Sequence, residues 1–269
     1  MTHFTIANLV RSAKWGSDWS ENELLQHKCS TPKSHQIHRS RAWPYRPPRS
    51  QLTLNRRSHH FSQETYRFLA YLDLASRANA GQESAIDDLA KSVLEVTGFD
   101  ERGTILRTRY DIPFTICGDN HRVARTDVCL VHLNSMILLV VQEDKTNSST
   151  ANPEPQVIAE AIAAFQYNNR KREELGLPTL DKMTTPCIVM LETRPFFYKV
   201  TATQKLCDCV IGGQYPSQPT VVTRCSPPAR RRASEGMEVP DYRRAALQYY
   251  DAFHELAKAC WTSFLDGCE

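Results

Sequence analysis

The chain has 269 residues, room for one or two domains, and 41% of them are hydrophobic, enough for a sizeable core. Its longest apolar run, Met136 to Val141, is strand-sized, far short of the ~18 apolar residues of a membrane helix, and the start, MTHFTIANLVRSAKWG, has no signal-peptide h-region. The formal charge of +3 conceals an asymmetry: residues 1–60 carry 10 Lys and Arg against 3 Asp and Glu, and the rest of the chain carries 23 against 27.

Residues 1–58 are rich in Ser, Arg, His and Pro, with RAWPYRPPRS at 41–50, and read as a basic, disordered leader ahead of a folded domain at 59–269. A leader of this charge can attract phosphate backbones or remain a solvated arm. Residues 62–79 predict a helix with Ser62 as N-cap and Phe68, Leu69, Leu72 and Ala75 as its apolar stripe. A second helix follows over Glu83 to Val96, with Ile86, Leu89, Ala90, Val93 and Leu94 inward and Gly98 as the stop.

Three strands come next, near Ile105–Cys117, Arg122–Val131 and Met136–Lys145, joined by breakers at Gly118-Asp119-Asn120 and at Leu133-Asn134-Ser135. Short loops make them an antiparallel meander. The second and third are apolar on both faces and therefore belong inside the sheet, covered on both sides. A helix from Pro155 to Leu175 packs through Val157, Ile158, Ala161, Ile162 and Phe165 and stops at Gly176. Strands over Pro186–Leu191 and Arg194–Val200 follow, then further short strands over 206–223 and a linker over 226–237. An amphipathic helix over Asp241–Leu265 closes the chain; its exposure could support a homodimer. The order predicts an α/β fold, a mixed central sheet flanked by helices with extra helices at both ends.

Nine cysteines without a CxxC pair exclude a secreted disulfide framework and read as reduced thiols of the cytoplasm or nucleus. Cys207 and Cys209 are spaced too tightly for a zinc knuckle. No GxSxG, Walker or dinucleotide glycine pattern occurs.

The stretch that carries chemistry is Arg125-Thr-Asp127, then Val141-Gln-Glu143-Asp-Lys145. Phosphodiester hydrolysis needs carboxylates for Mg²⁺ and a cation against the transferring phosphate. Asp127 and Glu143 can supply the oxygens, and Lys145 the cation. Glu143 and Lys145 share a strand face. Asp127 joins them if the hairpin loop has three or five residues or the ladder carries a bulge; a strict two-residue loop pairs it with Gln142 and turns it away. The same residues would also make a plain salt bridge at the sheet edge. Weaker candidates are Gln156 and Glu160, one turn apart and edging the site, and Arg107, Arg109, Arg125 and Arg170 as phosphate contacts.

Residues 83–200 resemble the core of the PD-(D/E)XK nuclease superfamily, in which an α-β-β-β-α-β order places an Asp on the second strand and (D/E)xK on the third. VQEDK, PEPQVIAEAIAAFQYNNRKREELGLPTL and TRPFFYKV are similar to fungal nuclease-like proteins of that superfamily. The resemblance implies Asp127 and Glu143 as metal ligands and Lys145 as the catalytic lysine. It also implies Glu83 as the additional acid of the first helix, Gln156 in the place of a Gln found in RecB-like members, and Thr126 in place of the family's proline. It implies a Mg²⁺-dependent endo- or exonuclease, with Mn²⁺ as substitute, acting on DNA rather than RNA. The alternative is an inactive nuclease-like fold that binds nucleic acid or protein; the acidic balance of the folded part favours that caution.

Overall fold

Ser62 opens the first helix as expected: its Oγ accepts a hydrogen bond from the Thr65 amide at 3.2 Å, satisfying one of the free N–H groups of the first turn. The computed structural model describes residues 29–30, 62–77, 84–134, 136–144, 153–229, 232 and 234–265, with the side chains of 29–30, 142–144 and 263 outside that description. Helix α1 is Gln63–Ser76, and Phe68, Leu72 and Ala75 are its buried positions. Helix α2, Ser84–Val96, buries all five residues of its predicted stripe and ends ahead of Gly98, whose φ of 80° suits glycine alone.

The strands are β1 (Cys29–Ser30), β2 (Thr104–Ile116), β3 (Asp119–His132), β4 (Ile137–Asp144), β5 (Lys182–Leu191), β6 (Arg194–Thr203) and β7 (Thr220–Cys225). They form one mixed sheet in the order β1-β7-β6-β5-β4-β3-β2. β2, β3 and β4 are the expected antiparallel meander. Cys117 and Gly118, both at positive φ, make the first turn, the backbone that a two-residue hairpin loop requires. β4 then runs parallel to β5, a connection that needs a crossover element; helix α3, Glu154–Glu174, provides it.

Alternation along β6 separates the two layers. Phe197 meets Tyr249, Tyr250 and Phe253 of helix α5 (Pro240–Leu265), whereas the Tyr198 hydroxyl donates to Glu154 of α3 on the other face. Helix α2 packs with α5 against β4, and α1 rests on α2. α3 is buried on nearly every side, including Ala159, Ala161, Ala163 and Ala164, and the small residues allow that helix to lie close to the sheet. No helix among the described residues is long and apolar enough to cross a membrane.

Three expectations change. The segment after β6 is a helix, α4 (Gln204–Ile211), capped by Thr203, whose Oγ accepts from Leu206 N; Leu206, Cys207 and Val210 sit at helical spacing, and only 220–225 is a strand. The predicted linker at 226–237 is in part a packed strap: Met237 is fully buried and its amide donates to the Thr193 carbonyl. The C-terminal helix, expected to be exposed, spends its apolar stripe on the sheet, burying Ala246, Tyr250, Phe253, Ala257, Trp261 and Phe264. The leader lies outside the described residues apart from β1, which pairs parallel with β7 through Cys29–Thr220 and Ser30–Val221.

Candidate functional site

A break in the β2–β3 ladder builds the site. The ladder runs from Thr104–His132 to Thr108–Val128 and resumes at Tyr110–Thr126. Between these pairs Arg109 has φ 51°, a left-handed backbone that is uncommon away from glycine. The side-chain rows change face across the break. Val128 is in register with Val141, Ile188 and Phe197, a row on the α5 side. Tyr110 instead reaches α3, its hydroxyl 3.1 Å from that of Tyr167, and Thr126 is its ladder partner. On a regular strand Thr126 and Val128 would share a face; here they do not.

Asp127 sits at this change of face and is only 7% exposed. Beside it Thr126 is fully buried, and its hydroxyl donates to the carbonyls of Val128 (2.8 Å) and Val141 (3.0 Å), tying β3 to β4 where the ladder is disturbed. Glu160 of α3 completes the group. It is 0% exposed. Burial, and after it the charge of Asp127, push its carboxyl well above the usual carboxylate range, with the nearby Thr126 hydroxyl pulling the other way. The Thr126 proton is already directed at two backbone carbonyls, and neither oxygen of Glu160 has a hydrogen-bond partner among the described residues.

Asp127 and Glu160 are thus both buried beside Thr126, near enough for the charge of one to act on the other, with Gln156 half-buried one turn before Glu160. Glu143 is described through its backbone pairing with Met190. The β3–β4 hairpin carries a bulge, as the sharing of one face by Asp127 and Glu143 required, but its effect is the opposite. Val131 pairs with Ile137 near the turn, a register that would set Asp127 opposite Val141; the bulge then shifts the ladder so that Leu130 pairs with Leu139 and Val128 with Val141. Continued by one residue, that register sets Gln142 opposite Asp127. Lys145 and Glu83 lie outside the described residues. Among the described residues no three His, Cys, Asp or Glu side chains gather closely enough to hold a metal ion.

The arginines are engaged or dispersed. Arg125 forms a two-pronged ion pair with Asp111, at 2.6 and 3.0 Å, which holds the Asp111 carboxyl below its usual range. Arg170 donates to the Pro113 carbonyl at 3.0 Å, Arg107 lies over the Tyr110 ring at 5.5 Å, and Arg109 is exposed at the ladder break.

Sequence reasoning gave Glu160 only an edge role. The available signal was a lone acid inside an apolar helical run, Val157-Ile-Ala-Glu160-Ala-Ile. A cavity of about 250 Å³ opens two to three turns further along α3, lined by Thr115, Gln166, Asn169, Arg170 and Gln204 among others. Its lining is committed to internal bonds, Gln166 with Thr115 and Asn169 with Leu180 and Gln204, and it is remote from the carboxylates. No protein-family model matches the chain, and no curated protein matches it.

Proposed function

We propose that the chain is a metal-dependent nuclease of the PD-(D/E)XK type, hydrolysing phosphodiester bonds of nucleic acid, DNA in preference to RNA. The observation that carries the reading is the buried Asp127 on the second strand of the meander, next to the strand that bears Glu143. Supporting it is the element order from α2 through β2, β3, β4 and α3 to β5, with β4 parallel to β5, the order that the sequence resemblance implies. The buried carboxyl of Glu160 beside Asp127 fits a hard cation, because desolvated anionic oxygens need a positive charge.

In this reading Asp127 would hold Mg²⁺ together with Glu143, whose carboxylate must then reach past the register that sets Gln142 opposite Asp127, and with Glu83 as an additional acid. When bound, the ion supplies Lewis-acid stabilisation of the phosphoryl oxygens and lowers the pKa of a bound water. Lys145 sets a fixed cation against the charge that develops on the phosphate and orients the attacking water. Thr126, tied to two carbonyls, keeps Asp127 in place.

The test is cleavage of single- and double-stranded DNA with Mg²⁺ or Mn²⁺. The double variant Glu143→Ala/Lys145→Ala loses cleavage by at least ~100-fold, since a missing charge-stabilising group alone removes about that much. Cleavage that survives in this variant eliminates the mechanism.

A second reading is a binding module on the same scaffold. Two observations favour it: residues beyond 60 are net acidic, 23 Lys and Arg against 27 Asp and Glu, and Arg125 and Arg170 are already engaged within the protein. Metal-independent nucleic-acid binding without turnover would select it.

A further inference from the structure

Helix α3 buries two glutamates, and only one is accounted for. Glu154 accepts from the Tyr198 hydroxyl at 3.0 Å and pairs with Arg224 at 2.5 Å, and that arginine lies over the Phe196 ring. Its charge is neutralised and hydrogen-bonded, as a buried charge requires. Glu160, six residues on, lacks this provision: among the described residues neither oxygen has a hydrogen-bond partner within ordinary geometry and no Lys or Arg forms an ion pair with it, the nearby Thr126 hydroxyl being its one neutral polar neighbour. The charge that acts on it is that of Asp127, of the same sign. The flanking Ala159 and Ala161 are as buried as Glu160, so an apolar residue would suit the packing, and an isolated buried carboxylate is costly.

We propose that Asp127 and Glu160 together ligate a divalent cation, so that helix α3, and not the strands alone, supplies an oxygen to the metal centre. This rests on the metal-dependent reading above and changes its ligand set. Two carboxylates suit an ion such as Mg²⁺, which takes one or two from the protein and completes its shell with water and substrate phosphate oxygens. The ladder break at Arg109 turns Tyr110, and with it Thr126 beside Asp127, toward α3.

The experiment titrates full-length protein with Mn²⁺, reading free Mn²⁺ by electron paramagnetic resonance, for wild type, Asp127→Asn, Glu160→Gln and Glu143→Gln. The expected result is a loss of Mn²⁺ affinity of at least tenfold in both Asp127→Asn and Glu160→Gln. In chelator, Glu160→Gln should melt above wild type, because the cost of burying an ionisable carboxyl with no cation beside it is gone; a purely structural role would not give that rise together with the metal loss. Mn²⁺ binding by Glu160→Gln within twofold of wild type overturns the proposal, as does wild type that binds no Mn²⁺. If Glu160→Gln does not fold, Glu160→Asp serves: weakened binding supports the ligand role, and unchanged binding overturns it. Binding that follows Asp127 and Glu160 without any cleavage leaves the cation site standing and removes the nuclease reading. Cleavage and binding that need Glu143 but not Glu160 do the reverse.

Discussion

At the scale of single residues, two buried groups carry consequences outside the site. Gly236 lies where the strap crosses the β5–β6 turn. A Cβ there would overlap the Thr193 hydroxyl and the Glu238 carboxylate, two groups hydrogen-bonded to each other, and Glu238 also accepts from the Gly236 amide at 2.9 Å. Gly236→Ala must therefore break that pair or shift the strap. The expected loss is about 1–3 kcal/mol, in the range for overpacking, read by denaturant unfolding. His254 is the other case. Its ring lies 4.3 Å from that of Phe99 and its buried Nε2 has no hydrogen-bond partner among the described residues. Burial first and the Lys258 charge second depress its pKa, against smaller opposing effects of Glu101 and Glu255. The folded state then binds fewer protons than the unfolded chain below the ordinary histidine value of about 6.5. Its contribution is fully present above that pH and is lost as the pH falls through 6.5 toward the folded value. Unfolding midpoints measured from pH 8 to pH 5 should decline over this window, and His254→Phe should flatten the decline.

At the scale of elements, the start of β4 shows how two helices complete a strand. β5 joins β4 only from Val140 onward, which leaves Ile137 without a strand partner on that side. Asn168 of α3 takes the place of one: its amide accepts from Ile137 N and donates to Ile137 O, both at 2.8 Å. Leu138, the extra residue of the bulge, has its carbonyl free of the ladder, and Trp261 Nε1 of α5 donates to it at 2.7 Å. Asn168→Leu leaves two buried backbone groups unmet and Trp261→Phe one. At about 1–3 kcal/mol per orphaned group, the first variant should melt well below the second, and a thermal or urea series on both checks the order. These bonds mark where sequence reasoning ends. The helical stripes of α2 and α3 and the meander were legible because periodicity and breakers encode them locally, whereas its first turn falls at Cys117-Gly118, ahead of the Asp119-Asn120 pair that opens β3. The bulge at Leu138 and the change of face at Arg109 were not legible. They arise from contacts more than 30 residues apart, and a strand read alone assumes unbroken alternation. Helix α4 was missed for a smaller reason: its eight residues include four β-favouring or thiol side chains, Cys207, Cys209, Val210 and Ile211, which mask the helical signal of the Thr203 cap.

At the scale of the whole molecule, the described anchor of the basic leader and the strand bearing Asp127 lie far apart in the sheet. Asp127 and the strand bearing Glu143 were legible from residue type and strand order, but the pairing of Asp127 with Glu160 depends on a helix crossing over the ladder break, which spacing does not reveal. The basic excess lies in the first 60 residues, and their described anchor, β1, pairs with β7. Five strand spacings separate β1 from β3, about 24 Å at ~4.8 Å each, well beyond the screening length of ~8 Å at physiological salt. Phosphate attraction by the leader should then set affinity without altering the carboxylate group. Among the described residues the buried hydrophobic core runs from Phe68 to Phe264. Deleting residues 1–58 is expected to leave the melting temperature within a few degrees. It should weaken nucleic-acid binding and flatten its dependence on salt, because counterion release scales with the phosphates neutralised. In the nuclease reading KM rises while kcat holds. Fluorescence anisotropy between 50 and 200 mM salt, run beside the cleavage assay, checks both parts; an unchanged salt slope after deletion would place the phosphate contacts on the folded domain instead.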